Sequence, residues 1–220
     1  MASLTVENYV KAILQLQLKS DKSMVSPGAL AARLDVAPGS VTSMLKTLSD
    51  SELARYVPYE GVELTEAGRR LAMRMLRRHR LLEFFLLHTL NLTWDQVHDE
   101  AEELEHAVSD FLVDRIDEFL GHPETDPHGS PIPSADGDLR RDLSEAVTLA
   151  DCSVGDSVRI VRVVNQKPDF LRFLSDAGVN IGSQGRVSDV NVDAGILHFQ
   201  IDGVSVPIAL TAAQSIRVDR

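Results

Sequence analysis

The chain has 220 residues, 44% apolar and 25% charged, with a net charge of −11; this composition suits a globular protein of one large or two to three small domains, each with a proper core. No stretch approaches the roughly 18 apolar residues of a membrane span, and Met1 to Val10 lacks the basic-then-apolar pattern of a signal peptide. Cys152 is the only cysteine, which excludes an internal disulfide and fits a reducing cytoplasm. The acidic balance argues against a nucleic-acid partner only until it is divided along the chain. Residues 1–80 carry 12 Lys and Arg against 8 acids, and residues 81–220 carry 10 against 25. The basic end closes on Arg69, Arg70, Arg74, Arg77, Arg78 and Arg80. That split suggests polyanion binding at one end and cation binding at the other.

Ser3 or Thr5 can cap a first helix on which Tyr9, Ile13 and Leu16 recur at helical spacing. Lys19 to Ser23 reads as a polar loop. Ser26-Pro27 is a helix start, Ser as N-cap and Pro in the first turn, leading a short helix from Gly28 to Leu34. Asp35-Val36-Ala37 is a tight turn, and Pro38 opens a second helix to Ser49 carrying Val41, Leu45 and Leu48. Two short helices so joined form a helix-turn-helix, with Gly28, Leu30, Ala31, Leu34, Val41, Leu45 and Leu48 as its small core. Ala54 to Val57 and Val62 to Leu64 then read as two short strands around a Gly-containing turn, the wing of a winged helix. In that arrangement the second helix enters a major groove. Ser40, Thr42, Ser43 and Lys46 are its outward polar groups, and Arg55 and Tyr59 on the wing reach backbone or minor groove.

Thr65 caps a long helix running through Arg80 to His88, with His79 and Glu83 four apart on one face. Its many apolar positions exceed what one small domain needs, which suggests a seam between subunits. Thr93 caps a further helix predicted to run to Leu120 and stop at Gly121. On a continuous helix His98, Glu102, Glu105 and His106 fall within roughly a third of the circumference. Two imidazoles and two carboxylates then share one face, away from Ala101, Leu104, Val108 and Phe111. This is a nitrogen–oxygen donor set suited to a divalent cation, although a solvated acidic face has the same appearance.

His122 to Gly137, with four prolines, reads as a linker and Leu139 to Ala150 as a short amphipathic helix or turn. From Asp151 the texture is β. Five short strands, 157–164, 184–187, 196–201, 204–208 and 215–218, suggest a small barrel, with a helical insertion at 169–177.

Three separated runs, Arg77-Arg78-His79-Arg80-Leu81-Leu82-Glu83, then Val97-His98-Asp99-Glu100 to Glu105-His106, then Pro127-His128-Gly129-Ser130-Pro131-Ile132-Pro133, resemble in residue type and order the diphtheria-toxin-repressor and manganese-transport-regulator family. The resemblance spans the chain. It implies an α+β multidomain fold: a winged helix-turn-helix over 1–65, an all-α dimerisation domain over 66–138, and a linker helix with an SH3-like, FeoA-type barrel over 139–220. It implies a metal-activated repressor, not an enzyme, working in the cytoplasm as a homodimer on palindromic double-stranded operator DNA, with no membrane partner. Two metal sites per subunit follow from it. The primary site matches Glu102, Glu105 and His106 with Asn8 from the first helix; the second matches His79, Glu83 and His98, with Gln166 and Asp169 as further ligands from the SH3-like domain. Iron-type members have Cys at position 102 and Met at position 8, and manganese-type members have Glu and Asp. Glu102 agrees with the manganese type, Asn8 is neutral, and Lys11 replaces a further acid of some manganese regulators. Carboxylate, amide and imidazole suit Mn(II) ahead of Fe(II). A dinuclear metalloenzyme, built from the same His and Glu spacings on bundle helices, and a metal-independent DNA-binding regulator are the alternatives. His88, His122, His128 and His198 read as surface or packing residues.

Overall fold

The structure, a computed structural model, describes residues 3–19 and 23–220; most of the predicted polar loop, residues 20–22, lies outside them. The chain divides into two compact units, Met1–His79 with Pro133–Asp138, and Arg80–Ile132 with Leu139–Arg220.

In the first unit, Ser3 caps α1 (Leu4–Gln17) by accepting the Val6 N–H, and the helix buries Tyr9, Val10, Ile13 and Leu14. Ser26 caps α2 (Pro27–Leu34), which ends on Asp35 in the left-handed region at φ 52°. Helix α3 (Pro38–Asp50) sinks Val41, Leu45 and Leu48 into the core, each at 0% exposure. Strands β1 (Ala54–Val57) and β2 (Gly61–Leu64) form the antiparallel wing, Ala54 opposite Leu64 and Val57 opposite Gly61. A Cβ on Gly61 would lie 2.6 Å from the Val25 carbonyl oxygen, so only glycine lets Val25 bridge to Val62 beside the hairpin. Gly28, expected in this core, is exposed. Helix α4 (Glu66–Leu90) begins here and enters the second unit at Arg80. The basic run on it is not one charged face: Arg69, Arg70 and Arg74 are exposed, but Arg77, Arg78 and Arg80 are buried.

In the second unit the predicted helix to Leu120 is two helices, α5 (Val97–Leu104) and α6 (Asp110–Phe119), separated by a turn. The break comes from Ser109, which is extended and accepts the Leu112 N–H at 3.2 Å, starting a new helix where the periodicity suggested continuation. The start is also later than expected, since Thr93 and Gln96 make a preliminary turn before Val97. Leu81, Leu82, Leu86, Val97, Ala101, Val113, Ile116 and Ile132 form the helical core.

Of the helix or turn expected at 139–150, the helix is not formed. Those residues make bends, the two-residue strand β3 (Val147–Thr148) and a single 3₁₀ turn at Leu149–Asp151. Two side chains divert the backbone: Arg140 bonds Asp117 and the Pro123 carbonyl, and Asp142 accepts the Ser144 N–H.

The β region is a six-stranded antiparallel sheet in the order β3-β8-β4-β5-β6-β7, one strand more than predicted. Its members are β4 (Ser157–Val163), β5 (Gln184–Asn191), β6 (Ile196–Ile201), β7 (Val204–Ala209) and β8 (Ile216–Asp219). Register shifts between Ile160 and Arg162 and between Val187 and Asp189 bend it. Helix α7 (Pro168–Asp176), the expected insertion, closes the core with Leu171 and Leu174, and α8 (Leu210–Ala213) precedes β8.

Candidate metal centre

Four elements of the second unit bring imidazoles and carboxylates together. Glu83, on α4, is 1% exposed, and its Oε1 lies 3.1 Å from Nδ1 of His98 at the start of α5. One turn on, Glu102 sets an oxygen 3.9 Å from His98 Nε2. Glu102 and Glu105 place carboxylate oxygens within 4.8 Å of each other, and Glu105 is completely buried beside His106 at 3.4 Å. Glu105 caps α5, and His106 stands in the following turn. The helical wheel therefore does not account for this grouping. The turn that ends α5 carries Glu105 and His106, and the helix proper carries only His98 and Glu102. His79, the last residue of the first unit, is buried one turn before Glu83 on α4.

A further pair was not assigned from the sequence. Asp126 and His128, at 3% and 0% exposure, group with Glu83 as three buried donors within 4.8 Å of one another. His128 is therefore not a surface residue. Its Nε2 donates to the Trp94 carbonyl at 2.7 Å. Its Nδ1 makes no hydrogen bond and lies 3.8 Å from Glu83 Oε1. The segment is held by β4: the Val163 N–H donates to the His128 carbonyl at 2.8 Å. Asp126 accepts the N–H groups of His128 and Ser130, each at 2.8 Å. Burial, then the Glu83 charge, raise its pKa, and Arg80 acts in the opposite sense. The sequence carried one signal for this pair, the turn residues Asp126-Pro127 and Gly129 flanking a histidine, but nothing local says that the turn is buried.

The remaining predicted residues are placed as follows. Asn8 lies on α1 with its Oδ1 buried and without a hydrogen bond. Asp169 is exposed and held by Arg172 at 2.6 Å, in none of the donor groups found among the described residues, and Gln166 is half-buried in the loop before α7. Ser40, Ser43 and Lys46 are exposed on α3, while Thr42 is half-buried with its hydroxyl donating to the Pro38 carbonyl. On the wing Arg55 pairs with Glu63 at 2.7 Å, and Tyr59 is fully exposed at its tip.

A winged helix-turn-helix, a helical domain with clustered nitrogen and oxygen donors, and a C-terminal β module define a class of DNA-binding regulator that responds to metal. Comparison with known proteins agrees part by part. Residues 1–62 match the DNA-binding domain of iron-dependent repressors, 65–134 their metal-binding and dimerisation domain, and 147–220 the FeoA domain. The iron-dependent repressor IdeR of Mycobacterium tuberculosis is 32% identical over 187 residues, 80% of each chain. A manganese-dependent transcriptional repressor solved in complex with manganese is 40% identical, with a TM-score of 0.89 over 97% of this chain and 99% of that one. ScaR with bound zinc is 32% identical at a TM-score of 0.79, over 98% and 99% of the two chains. The chain belongs to the diphtheria toxin repressor and IdeR family, whose members are metal-dependent transcriptional repressors and not enzymes.

Proposed function

We propose that the chain is a Mn(II)-activated repressor of metal-homeostasis genes, acting in the cytoplasm as a homodimer on palindromic operator DNA. The donor set carries this reading. The clustered side chains offer carboxylate oxygen and imidazole nitrogen, with Glu102 at the position where the iron-type members place sulfur, and hard oxygen donors favour manganese. Glu102, Glu105 and His106 form the primary ligands. Asn8 joins them from the first helix, supported by its buried Oδ1 that makes no hydrogen bond. His79, Glu83 and His98 form the second set, with Asp126 and His128 beside Glu83. When bound, the cation supplies the positive charge that lets these buried carboxylates converge.

Ser40, Thr42, Ser43 and Lys46 meet the major groove, and Arg55 and Tyr59 of the wing meet the backbone. The second copy covers the apolar groove of about 440 Å³ lined by Leu82, Phe85, Leu104, Leu112, Ile116 and Phe119; Phe119 is 69% exposed and Phe111 76%, more apolar surface than a monomer normally leaves in water. Metal that binds the DNA-competent arrangement more tightly raises operator affinity, and DNA raises metal affinity by the same factor. Fe(II) is the second reading, favoured by the iron-dependent relatives at 32% identity.

Operator binding measured across buffered free Mn(II), Fe(II), Co(II) and Zn(II) tests this. Activation by Mn(II) at the lowest physiological free concentration is expected. Activation confined to Fe(II) selects the second reading, and DNA affinity indifferent to every metal and to chelator refutes both. Co(II) or Zn(II) binding more tightly than Mn(II) in vitro is expected from their intrinsic affinities and bears on neither.

A further inference from the structure

Asp126 is held from two sides. Its Oδ1 is committed to the turn through the N–H groups of His128 and Ser130, each at 2.8 Å. Its Oδ2 faces Nε of Arg80 at 3.6 Å. Arg80 is itself 7% exposed and is anchored by an Nη1 hydrogen bond to the Pro131 carbonyl. Glu83 Oε1, which also meets His98 Nδ1 at 3.1 Å, and His128 Nδ1 stand 3.8 Å apart, and with Asp126 they form a buried group of donor atoms within 4.8 Å of one another. Two buried carboxylates and an imidazole this close together suit a cation placed among them.

We propose that Arg80 is a built-in competitor for this place: its guanidinium holds Asp126 Oδ2 in the metal-free protein and must yield it when a divalent cation binds Glu83, Asp126 and His128. Arg80 thereby sets the metal threshold of the second site where that site, through Glu83, extends to Asp126 and His128. The inference rests on the reading of Glu83 as a metal ligand. Arg80 is well suited to the role. Burial is the main influence lowering its pKa to about 10, with Asp126 opposing, so it stays cationic at neutral pH. Arg162 on β4 is close enough to feel the same carboxylate, and its Nε is buried without a hydrogen bond. A second guanidinium is thus at hand to keep Asp126 charged while Arg80 turns away. The cost of parting a buried ion pair makes occupancy of this site steeper in its demand for metal than the donor set alone would require.

The test uses the full chain and counts bound Mn(II) from the electron paramagnetic resonance signal of the free aquo ion, a readout independent of DNA. Arg80→Met removes the charge and keeps the aliphatic bulk. It tightens second-site binding on the order of tenfold, mid-range for residues sharing one charged network. Asp126→Asn keeps the Oδ1 acceptor and loses the charge; it weakens that site, and in its background the Arg80→Met effect disappears. Unchanged or weaker binding in Arg80→Met overturns the proposal. So does equal tightening in both backgrounds, which would show only a diffuse field. Arg80→Lys, which keeps the charge and lacks the planar Nε–H, gives a smaller tightening and serves if the Met variant fails to fold; no tightening in it then refutes the competition. The underlying reading fails separately: Glu83→Gln and His128→Ala binding the wild-type number of Mn(II) ions with wild-type affinity would remove Glu83 and His128 as ligands whatever Arg80 does.

Discussion

Replacing Gly129 by Ala perturbs a close approach of the 126–132 segment to strand β4. Gly129 has φ +82°, and an added Cβ would fall 2.0 Å from the Val161 carbonyl oxygen and 2.8 Å from Arg162 Cα. Both contacts are with backbone, which no rotamer change can relieve. The left-handed conformation by itself costs an L-residue about 1–2 kcal/mol. Moving the segment away to clear the clash breaks the Val163 to His128 hydrogen bond of 2.8 Å, worth about 1 kcal/mol, and loosens the packing of buried Ile132. The total is about 3 kcal/mol or more, which for a unit of this size lowers the melting temperature by roughly 10 °C. Trp94, the only tryptophan in the chain, is 8% exposed and stacks on the His128 ring at a 6.1 Å centroid separation. Its fluorescence therefore reports this segment, and far-UV circular dichroism reports the whole. Both melts should shift down, and the emission should move to the red. An alanine variant melting within about 2 °C of wild type, with unchanged emission, would refute the claim that the segment is clamped to β4 through this glycine.

Glu105→Ala and His106→Ala are each expected to abolish the response of DNA affinity to Mn(II) while leaving the circular dichroism spectrum intact; fluorescence anisotropy on an operator selected with the wild-type protein measures this, and retained activation would remove them as ligands. Phe119→Asp, at a position 69% exposed on the apolar groove, should convert a dimer to a monomer in analytical ultracentrifugation, whereas an undiminished dimer would place the subunit contact elsewhere. Arg140→Met leaves Asp117, 3% exposed, without the guanidinium that meets both its oxygens at 2.7 and 2.5 Å; urea unfolding should show a loss of about 3 kcal/mol, and a loss under about 1 kcal/mol would mean that the pair behaves as a surface one.

Much of the molecule was legible in one dimension because the signals are local. Ser3 and Ser26 cap the helices they precede, Pro27 and Pro38 open theirs, and Leu45 and Leu48 fall on the inner face that their spacing requires. The hairpin after α3 follows from the change of period and from Gly61. Residue type alone also separates the oxygen and nitrogen donors on offer here from a sulfur set. Tertiary structure decided what depends on distant partners. An apolar period cannot reveal that α5 stops at Leu104 and that Ser109 caps a new helix, so Glu105 and His106 come to Glu102 through a turn and not along a helix face. Arg77, Arg78 and Arg80 look like surface charge in sequence, yet they are buried. For Arg80 the compensation lies far along the chain, at Asp126. His128 sits in a proline-rich stretch that reads as a linker. It becomes a buried neighbour of Glu83 only because strand β4, from the following domain, holds its backbone through Val163. Composition and local spacing specify which groups are available; which of them lose water, and to whom they turn when they do, is set by packing between segments far apart in the chain.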